Sequence, residues 1–506
     1  MSRVTVDIDL NRVEGDLEFQ LDLEDGIVVD ARCIGTLYRG FEQILIGRQP
    51  KDSLVITPRV CGICGTAHLY AATRALEQIA GIEPSAHAVH IRNLCLMAET
   101  VQSDLRQTFL FFTPDFCNTL YGGHAMAAEI SDAFAQLKGS VVRGCLRQSR
   151  ELVGIVAIFG GQWPHSSYML PGGVSQPANS RRLMDAADIV ASVRAWFEES
   201  VLGGDLHDFL ALDDAESLFR WLEANPRRRA AALSLMTRFA ISIGLASIGS
   251  GTRHMLSYGV NPQPGKGSGH ALAAGFFNGD TRAVEPLDQG QINEHVRHSW
   301  FLDYPGGRHP WQGETIPNHL PGTDRYTWSK APRYGDRVVQ TGPLAELCIA
   351  ADPLICALLE RDGDNTWLRQ FARLRRCAWM LDSLSVTLAQ LRQVMGEPHY
   401  VDPGITTWPD GQSYGLIEAA RGALGHWVRI RDGVIDKYQI VTPTAWNATP
   451  RDSEGRHGHW ERSIIGMRVD NPDNPVAIGH VVRSHDPCLV CTVHFIGHGG
   501  RTRIGV

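Results

Sequence analysis

No stretch of about 20 apolar residues occurs in the chain, which excludes a bilayer-spanning helix. The nearest approach, Ala231 to Gly249, is broken by Arg238 and several serines and reads as a buried helix. Positive charge is not in excess: 48 Lys and Arg stand against 55 Asp and Glu, a net charge of −7. That excludes a nucleic-acid binder held by a general positive field. The N-terminus MSRVTVDIDL has no basic segment followed by an apolar run, so no signal peptide is expected. Cysteine is sparse and odd in number, 11 in 506 residues, which excludes a disulfide-built scaffold. What is present is enough apolar surface for a large core. Apolar residues make up 43% and charged residues 20% of the chain, so wholesale disorder is excluded and a soluble protein is expected.

The start of the chain reads as β-structure. Val4, Val6 and Ile8 alternate with polar residues, as do Leu17, Phe19, Leu21 and Leu23, and Asp25-Gly26 is a hairpin turn signal before Ile27. A helix is expected from about Gly65 to Ile79. Ile91, Leu94, Ala98, Val101, Leu105 and Phe109 then recur at three or four residues, the spacing of one helical face. Similar patterns near 126–158, 180–202, 227–248 and 366–395 predict a bundle of long helices. Residues 254–345 are rich in Gly, Pro, His and Trp. Between 398 and 487, Trp427 to Ile430, Tyr438 to Val441 and Val476 to Ile478 read as short β-runs. No repeat, low-complexity tract or clean linker appears. The expected fold is α+β: one large domain on a helical bundle with small peripheral sheets, its two termini meeting in the interior at a buried metal site.

Seven cysteines stand alone, as small hydrophobes commonly do. The other four form two Cys-x-x-Cys pairs at opposite ends of the chain, Cys61/Cys64 and Cys488/Cys491. This spacing lets two thiolates turn toward one centre, and Arg59 favours the thiolate form. The first pair alone suits a redox dithiol or half a zinc site. Four thiolates suit a structural zinc, but structural zinc pairs usually sit close together in small domains. Pairs that bracket a large chain better suit a buried catalytic centre. No further cysteine follows either pair at cluster spacing, so no iron–sulfur cluster is expected in this chain. Gly259 to Lys266 imitates a phosphate loop, but the spacing is one residue too long and Gly267 replaces the needed Ser or Thr. Arg227-Arg228-Arg229 reads as a solvated helix start.

At these residues the chain resembles the large subunit of nickel–iron hydrogenases. Arg59 to His68 is similar to that family's Arg-x-Cys-Gly-x-Cys signature with a following His, and Asp486 to His494 to its Asp-Pro-Cys-x-x-Cys-x-x-His. Arg12-Val13-Glu14-Gly15, Gly35 to Glu42, Pro171 to Val174, Ala420 to Ala423 and Pro443 to Asn447 agree in order. The resemblance covers nearly the whole chain. It implies reversible cleavage of H2 to protons and electrons, in the uptake direction, at a nickel–iron centre whose iron carries carbon monoxide and cyanide.

The resemblance also implies roles. Cys61 and Cys488 would be terminal thiolates on nickel, and Cys64 and Cys491 would bridge nickel and iron. Arg421 would sit above the open position, with Asp115 and Asp486 as the carboxylates beside it. Glu14 would take the proton from the Cys488 sulfur; a buried carboxylate beside a thiol is suited to that by a raised pKa. Glu42, His494 and the backbone carbonyl of Ile440 would hold Mg2+ with waters. Thr444 would hydrogen-bond a cyanide ligand, and His68 would support the centre from behind.

Three departures stand out: Ala420 where many members have Pro, His485 where Phe is common, and Gly65 where Thr or Ser is frequent. None removes a ligand. The working domain is expected to be 1–494, with 495–506 an extension removed by a maturation endopeptidase between His494 and Phe495, after nickel-insertion factors have acted. The implied partner is an iron–sulfur small subunit, with no nucleic acid and with membrane contact only through that partner. The location is expected to be cytoplasmic or membrane-associated through the partner. Two other readings are a hydrogen sensor and a metal-free or zinc-stabilised structural relative.

Overall fold

The computed structural model describes residues 3–265, 269–320 and 322–488. Cys491, His494 and the expected cleavage point between His494 and Phe495 lie outside the described residues, as does Lys266 of the glycine-rich loop. Val260–Pro262 within that loop forms a short strand.

The chain opens with an antiparallel sheet of β1 (Arg3–Asp9), β2 (Leu17–Glu24) and β3 (Ile27–Gly35) in that order. Asp25 and Gly26 turn it with φ of 50° and 80°, the left-handed pair that a tight hairpin requires. The long helices follow. They are α1 (Gly65–Ala80), α2 (Ala86–Arg106), α3 (Ser140–Gly160), α4 (Ser180–Trp196) and, after the seven-residue α5 (Pro343–Ile349), the 28-residue α6 (Thr366–Gln393). Their ends carry ordinary caps: Ser85 accepts from the Ala88 N–H, Asn365 from the Leu368 N–H, and Gly81 closes α1 at φ 64°. The arginines at 227–229 lie in a short helix, Pro226–Ala230, that buries none of its residues. Among the described residues no helix is long and apolar enough to cross a membrane.

A second antiparallel sheet runs β4 (Gly411–Ala419), β5 (Gly422–Arg431) and β6 (Val434–Val441). It packs directly on α1, where Ala67, Ala71 and Ala75 keep the helix face small. A Cβ on Gly415 would fall 1.9 Å from the Ala71 carbonyl oxygen. Gly65 has a similar reason: its Cβ would meet the Pro58 carbonyl oxygen at 2.9 Å. The departure from Thr or Ser therefore follows from tight packing at the first cysteine pair.

One expectation is overturned. Val476 to Ile478, read as a β-run, begins α7 (Val476–Ser484). Its Ile478, Val481 and Val482 pack into one cluster with Leu17, Phe19 and Leu21 of the first sheet and with Trp460. The run is apolar because that helix is buried nearly all round, and tertiary packing overrides the β-propensity of Val and Ile. The termini do meet. The Glu14 N–H donates to the Pro487 carbonyl at 3.3 Å, and Glu14 pairs with Cys488 as an isolated bridge.

Candidate metal centre

Cys61 and Cys64 lie in the turn that enters α1, and Cys488 follows α7. Short-range geometry aims the first pair, since the Ile63 N–H reaches back to Cys61 Sγ at 3.3 Å. The fold brings in the third sulfur: Cys61 Sγ and Cys488 Sγ are 3.6 Å apart. These three cysteines and Ile63 form a buried cluster of their own, and none of the three is in a disulfide. Among the described residues no group of three or more His, Cys, Asp or Glu side chains is placed to hold a metal ion; the fourth cysteine, Cys491, lies outside them. Soft sulfurs held this close without a covalent bond are the donor set a thiophilic transition metal takes.

Arg421 stands over this cluster. It occupies the two-residue turn between β4 and β5, where Ala419 pairs with Gly422 and the arginine is thrust out of the sheet. Gly422 takes φ 123°, and a Cβ there would lie 2.5 Å from the Gly342 nitrogen. The guanidinium is buried. Nε donates to the Asp486 carbonyl at 3.1 Å and Nη2 pairs with Asp486 Oδ1 at 3.2 Å, while Nη1 has no partner among the described residues. Burial works against its charge, but Asp486 and the sulfurs of Cys488, Cys61 and Cys64 hold its pKa well above the usual value. A permanently charged group with one unpartnered buried donor is an electrophilic wall for a small species bound at the sulfurs.

Asp115 is not among the carboxylates that pair with Arg421. It sits in the turn Thr113–Cys117 that ends the α2 region, between Arg12 and Arg483, which reaches it at 2.6 Å. Arg483 also donates to the Asn11 carbonyl at 2.8 Å. Asp115 thus ties the N-terminal segment to α7. The second acidic group behind Arg421 is Asp104 of α2, which the sequence reading missed. Arg373 joins it to Asp486, at 3.0 and 3.6 Å, and Arg376 grips both of its oxygens at 2.7 and 2.8 Å. A signal existed: Arg369, Arg373 and Arg376 recur at i, i+4 and i+7, one face of α6. Arginines buried in a helix that also buries its other sides through residues such as Phe371 and Leu374 need buried acids as partners.

Glu14 is half-buried beside Cys488. Burial, then the Cys61 sulfur, raise its pKa against the pull of Arg421 and Arg106, as a proton acceptor requires. His68 is buried, and burial drives it down to about 4, so its ring is neutral. Its Nδ1 hydrogen-bonds His426 Nε2 at 3.0 Å, and His426 Nδ1 meets the Tyr438 hydroxyl at 2.8 Å. Thr444 is buried in the first turn of the helix Pro443–Asn447, which Thr442 caps.

Glu42 lies elsewhere in the interior. Its Oε1 accepts the Ile440 N–H at 2.8 Å, so the backbone nitrogen of Ile440 is what meets it. A cavity of ≈ 50 Å³ is lined here by Glu42, Glu294, Lys330 and Ile440. Lys330 Nζ reaches Glu294 at 3.0 Å, Glu42 at 3.7 Å and Gln439 Oε1 at 2.7 Å. The Lys330 ammonium thus serves two carboxylates and an amide oxygen in this pocket.

The start of α1 has its own buried acid. Glu99 of α2 accepts from the Thr66 N–H at 3.1 Å, the Thr66 hydroxyl at 2.8 Å and the Trp163 indole at 3.2 Å. Burial raises its pKa from 4.5 to about 7 despite these donors. The folded protein therefore keeps a proton that the unfolded chain releases near pH 4.5. Its stabilising effect is complete below that value and is lost as pH rises to about 7. Thermal unfolding across this window is expected to show a loss on the order of 3 kcal/mol, and Glu99→Gln is expected to flatten it. An unchanged slope in the variant would refute the assignment.

Comparisons with known proteins agree on one family. The family model described as nickel-dependent hydrogenase matches residues 39–140 and 233–494. The chain is 32% identical to the periplasmic NiFeSe hydrogenase large subunit of Desulfomicrobium baculatum, over 98% of this chain and 95% of that one. It is 29% identical to the hydrogenase-1 large chain of Escherichia coli strain K12, over 100% and 97%. A solved structure of the H2-activated NiFeSe hydrogenase of Dm. baculatum superposes with a TM-score of 0.83 at 30% identity, covering 97% of this chain and all of that one.

Proposed function

The chain belongs to the nickel-dependent hydrogenase family, and on that premise we propose that it is a catalytic subunit that oxidises H2 and passes the electrons to an iron–sulfur small subunit. The observation that carries this reading is the convergence of Cys61, Cys64 and Cys488 beneath Arg421, whose Nη1 is buried and without a partner among the described residues. With Cys491 these thiolates would hold nickel and iron, and the iron would carry carbon monoxide and cyanide. All four positions are cysteine in this chain, although relatives are named as selenium enzymes. When bound, such a centre supplies the site at which H2 is polarised and split.

The residues do the rest. Arg421, held at Nε and Nη2 by Asp486, presents Nη1 and a fixed positive charge to the reacting electrons. The Cys488 sulfur is the first resting place for the proton. Glu14, in backbone contact with Cys488 and with a raised pKa, receives it and passes it outward. Thr444 supports an iron ligand and His68 the thiolates. Glu42, with the Ile440 backbone and His494, would hold Mg2+ in the Lys330 pocket.

The family match ends at 494 and the chain continues to 506. We take 1–494 as the working domain and 495–506 as an extension cut off by an endopeptidase after metal insertion. Without a membrane-crossing helix among the described residues, membrane association would come through the partner.

Elemental analysis, infrared spectroscopy and an H2-dependent dye-reduction assay on the purified complex test the reading. One nickel and one iron per chain, carbonyl and cyanide bands, and a mass ending at His494 are expected. Zinc alone, with no such bands after expression with maturation factors, would overturn it.

A further inference from the structure

Behind Arg421 lies a buried network whose charges do not balance if every acid is ionised. Its cations are Arg369, Arg373 and Arg376 of α6 and Arg421. Its acids are Asp364, paired with Arg369; Asp104, with Arg373 and Arg376; Asp486, with Arg421 and Arg373; Glu346, with Arg376; and Glu418. Leaving aside Glu14 and the cysteine sulfurs on the metal side of Arg421, that is four guanidinium groups against five carboxyls. Glu418, on β4, is the one that makes no ion pair among the described residues. Its Oε1 accepts the Tyr258 N–H at 2.5 Å, and the Ser257 hydroxyl also hydrogen-bonds the carboxyl.

The remaining oxygens locate the missing proton. The carboxyls of Glu346 and Glu418 stand within hydrogen-bonding reach of each other, although neither ionised group has a donor. Oε2 of each has no hydrogen-bond partner among the described residues. Glu346 is fully buried and Glu418 nearly so. Two ionised carboxylates in contact in an apolar interior repel strongly, and an unpaired buried charge is costly. One proton between the two Oε2 atoms satisfies both and brings the network to four against four. Burial and the neighbouring Glu346 carboxyl push Glu418 well above the usual carboxylate range, in agreement.

We propose that Glu418 carries a proton that it donates to Glu346, and that this buried acid pair is a positioning site for Arg421. The path is short. Glu346 holds Arg376, and Arg376 Nη2 donates to the carbonyl of Ala420, the residue before Arg421. The helix α5 that carries Glu346 starts against the same turn, since a Cβ on Gly342 would meet the Arg421 carbonyl oxygen at 3.1 Å. The proton thus keeps Glu346 on Arg376, and Arg376 keeps the turn that aims Arg421. The consequence for turnover rests on the function proposed above; the shared proton does not.

Infrared spectra of the purified complex at mildly alkaline pH, where ordinary carboxyls are ionised, provide the test. The expected result is a carboxylic-acid C=O band that shifts in D2O and disappears in Glu418→Gln. It should also disappear in Glu346→Gln, because four acids then face four guanidinium groups and Glu418 ionises. A band that survives in Glu346→Gln means an isolated protonated Glu418 and overturns the sharing. A wild-type spectrum without the band, or one unchanged in Glu418→Gln, overturns the proposal altogether. For turnover, Glu418→Gln keeps a donor toward Glu346 and should retain most of kcat. Glu418→Leu bares the Glu346 oxygen and should lower kcat about tenfold at unchanged KM and nickel content. Equal kcat in the two variants overturns the positioning role. Should the leucine variant fail to assemble, the wild-type and glutamine spectra decide alone. Absence of H2 oxidation in the wild type would refute the function and leave the infrared result standing.

Discussion

Cys61→Ser is expected to yield folded protein without nickel and without H2 oxidation. The serine hydroxyl is a hard donor that stays protonated near neutral pH, so it replaces neither the charge nor the polarisability of the thiolate. Cys61 Sγ lies 3.6 Å from Cys488 Sγ at 0% exposure, so no water ligand can enter to compensate. Outer partners of a metal site cost roughly 10–100-fold when removed; loss of a ligand should exceed that, taking turnover to background. Cys145→Ala is the control. That cysteine is buried in α3 beside the Ser149 hydroxyl at 3.6 Å, away from the cluster, and its loss should cost stability alone. Nickel content of both variants, measured by elemental analysis, checks the prediction. Full nickel occupancy in Cys61→Ser would show that the sulfurs do not hold the metal.

Arg421→Lys is expected to keep nickel and lose turnover by about 10²–10³-fold, the range for removing one oriented donor from a reacting centre. The charge survives the substitution but the fork does not. Arg421 uses Nε and Nη2 on the Asp486 carbonyl and carboxylate, which leaves Nη1 directed by the other two. A lysine ammonium on a flexible stem would settle on Asp486 and leave the reacting position bare. Steady-state H2 oxidation set against metal content separates this from a loading defect. Near-normal turnover in the variant would mean that charge alone is needed and that the fork to Asp486 is structural.

The local elements were legible because their signals are short-range. Asp25-Gly26 needs only its own left-handed dihedrals to make a hairpin, and the 3.6-residue spacing from Ile91 onward needs only the geometry of one helix. Arg421 was identified by motif, yet its position at a two-residue turn was not, because the Gly411–Ala419 strand alternates weakly. Asp115 was placed beside Arg421 on a local pattern. The pairing of acids and guanidinium groups is set by where α2, α6 and α7 cross, and Asp104 meets Arg376 across 272 positions of chain.

The sequence by itself determined the chemistry available: two Cys-x-x-Cys pairs at the ends of a large apolar chain, an arginine between them, and Glu14 near the start. The cysteine pairs rest on residue type and spacing, and Arg421 and Glu14 on the resemblance of the motifs around them; neither depends on the packing. Only the tertiary structure decided which charges share the interior. It set Asp104 rather than Asp115 behind Arg421, put Lys330 between Glu42 and Glu294, and brought Glu346 against Glu418. The reason is physical. In water each of these groups would be solvated alone, and only burial forces every charge and every polar atom to find its partner across the fold.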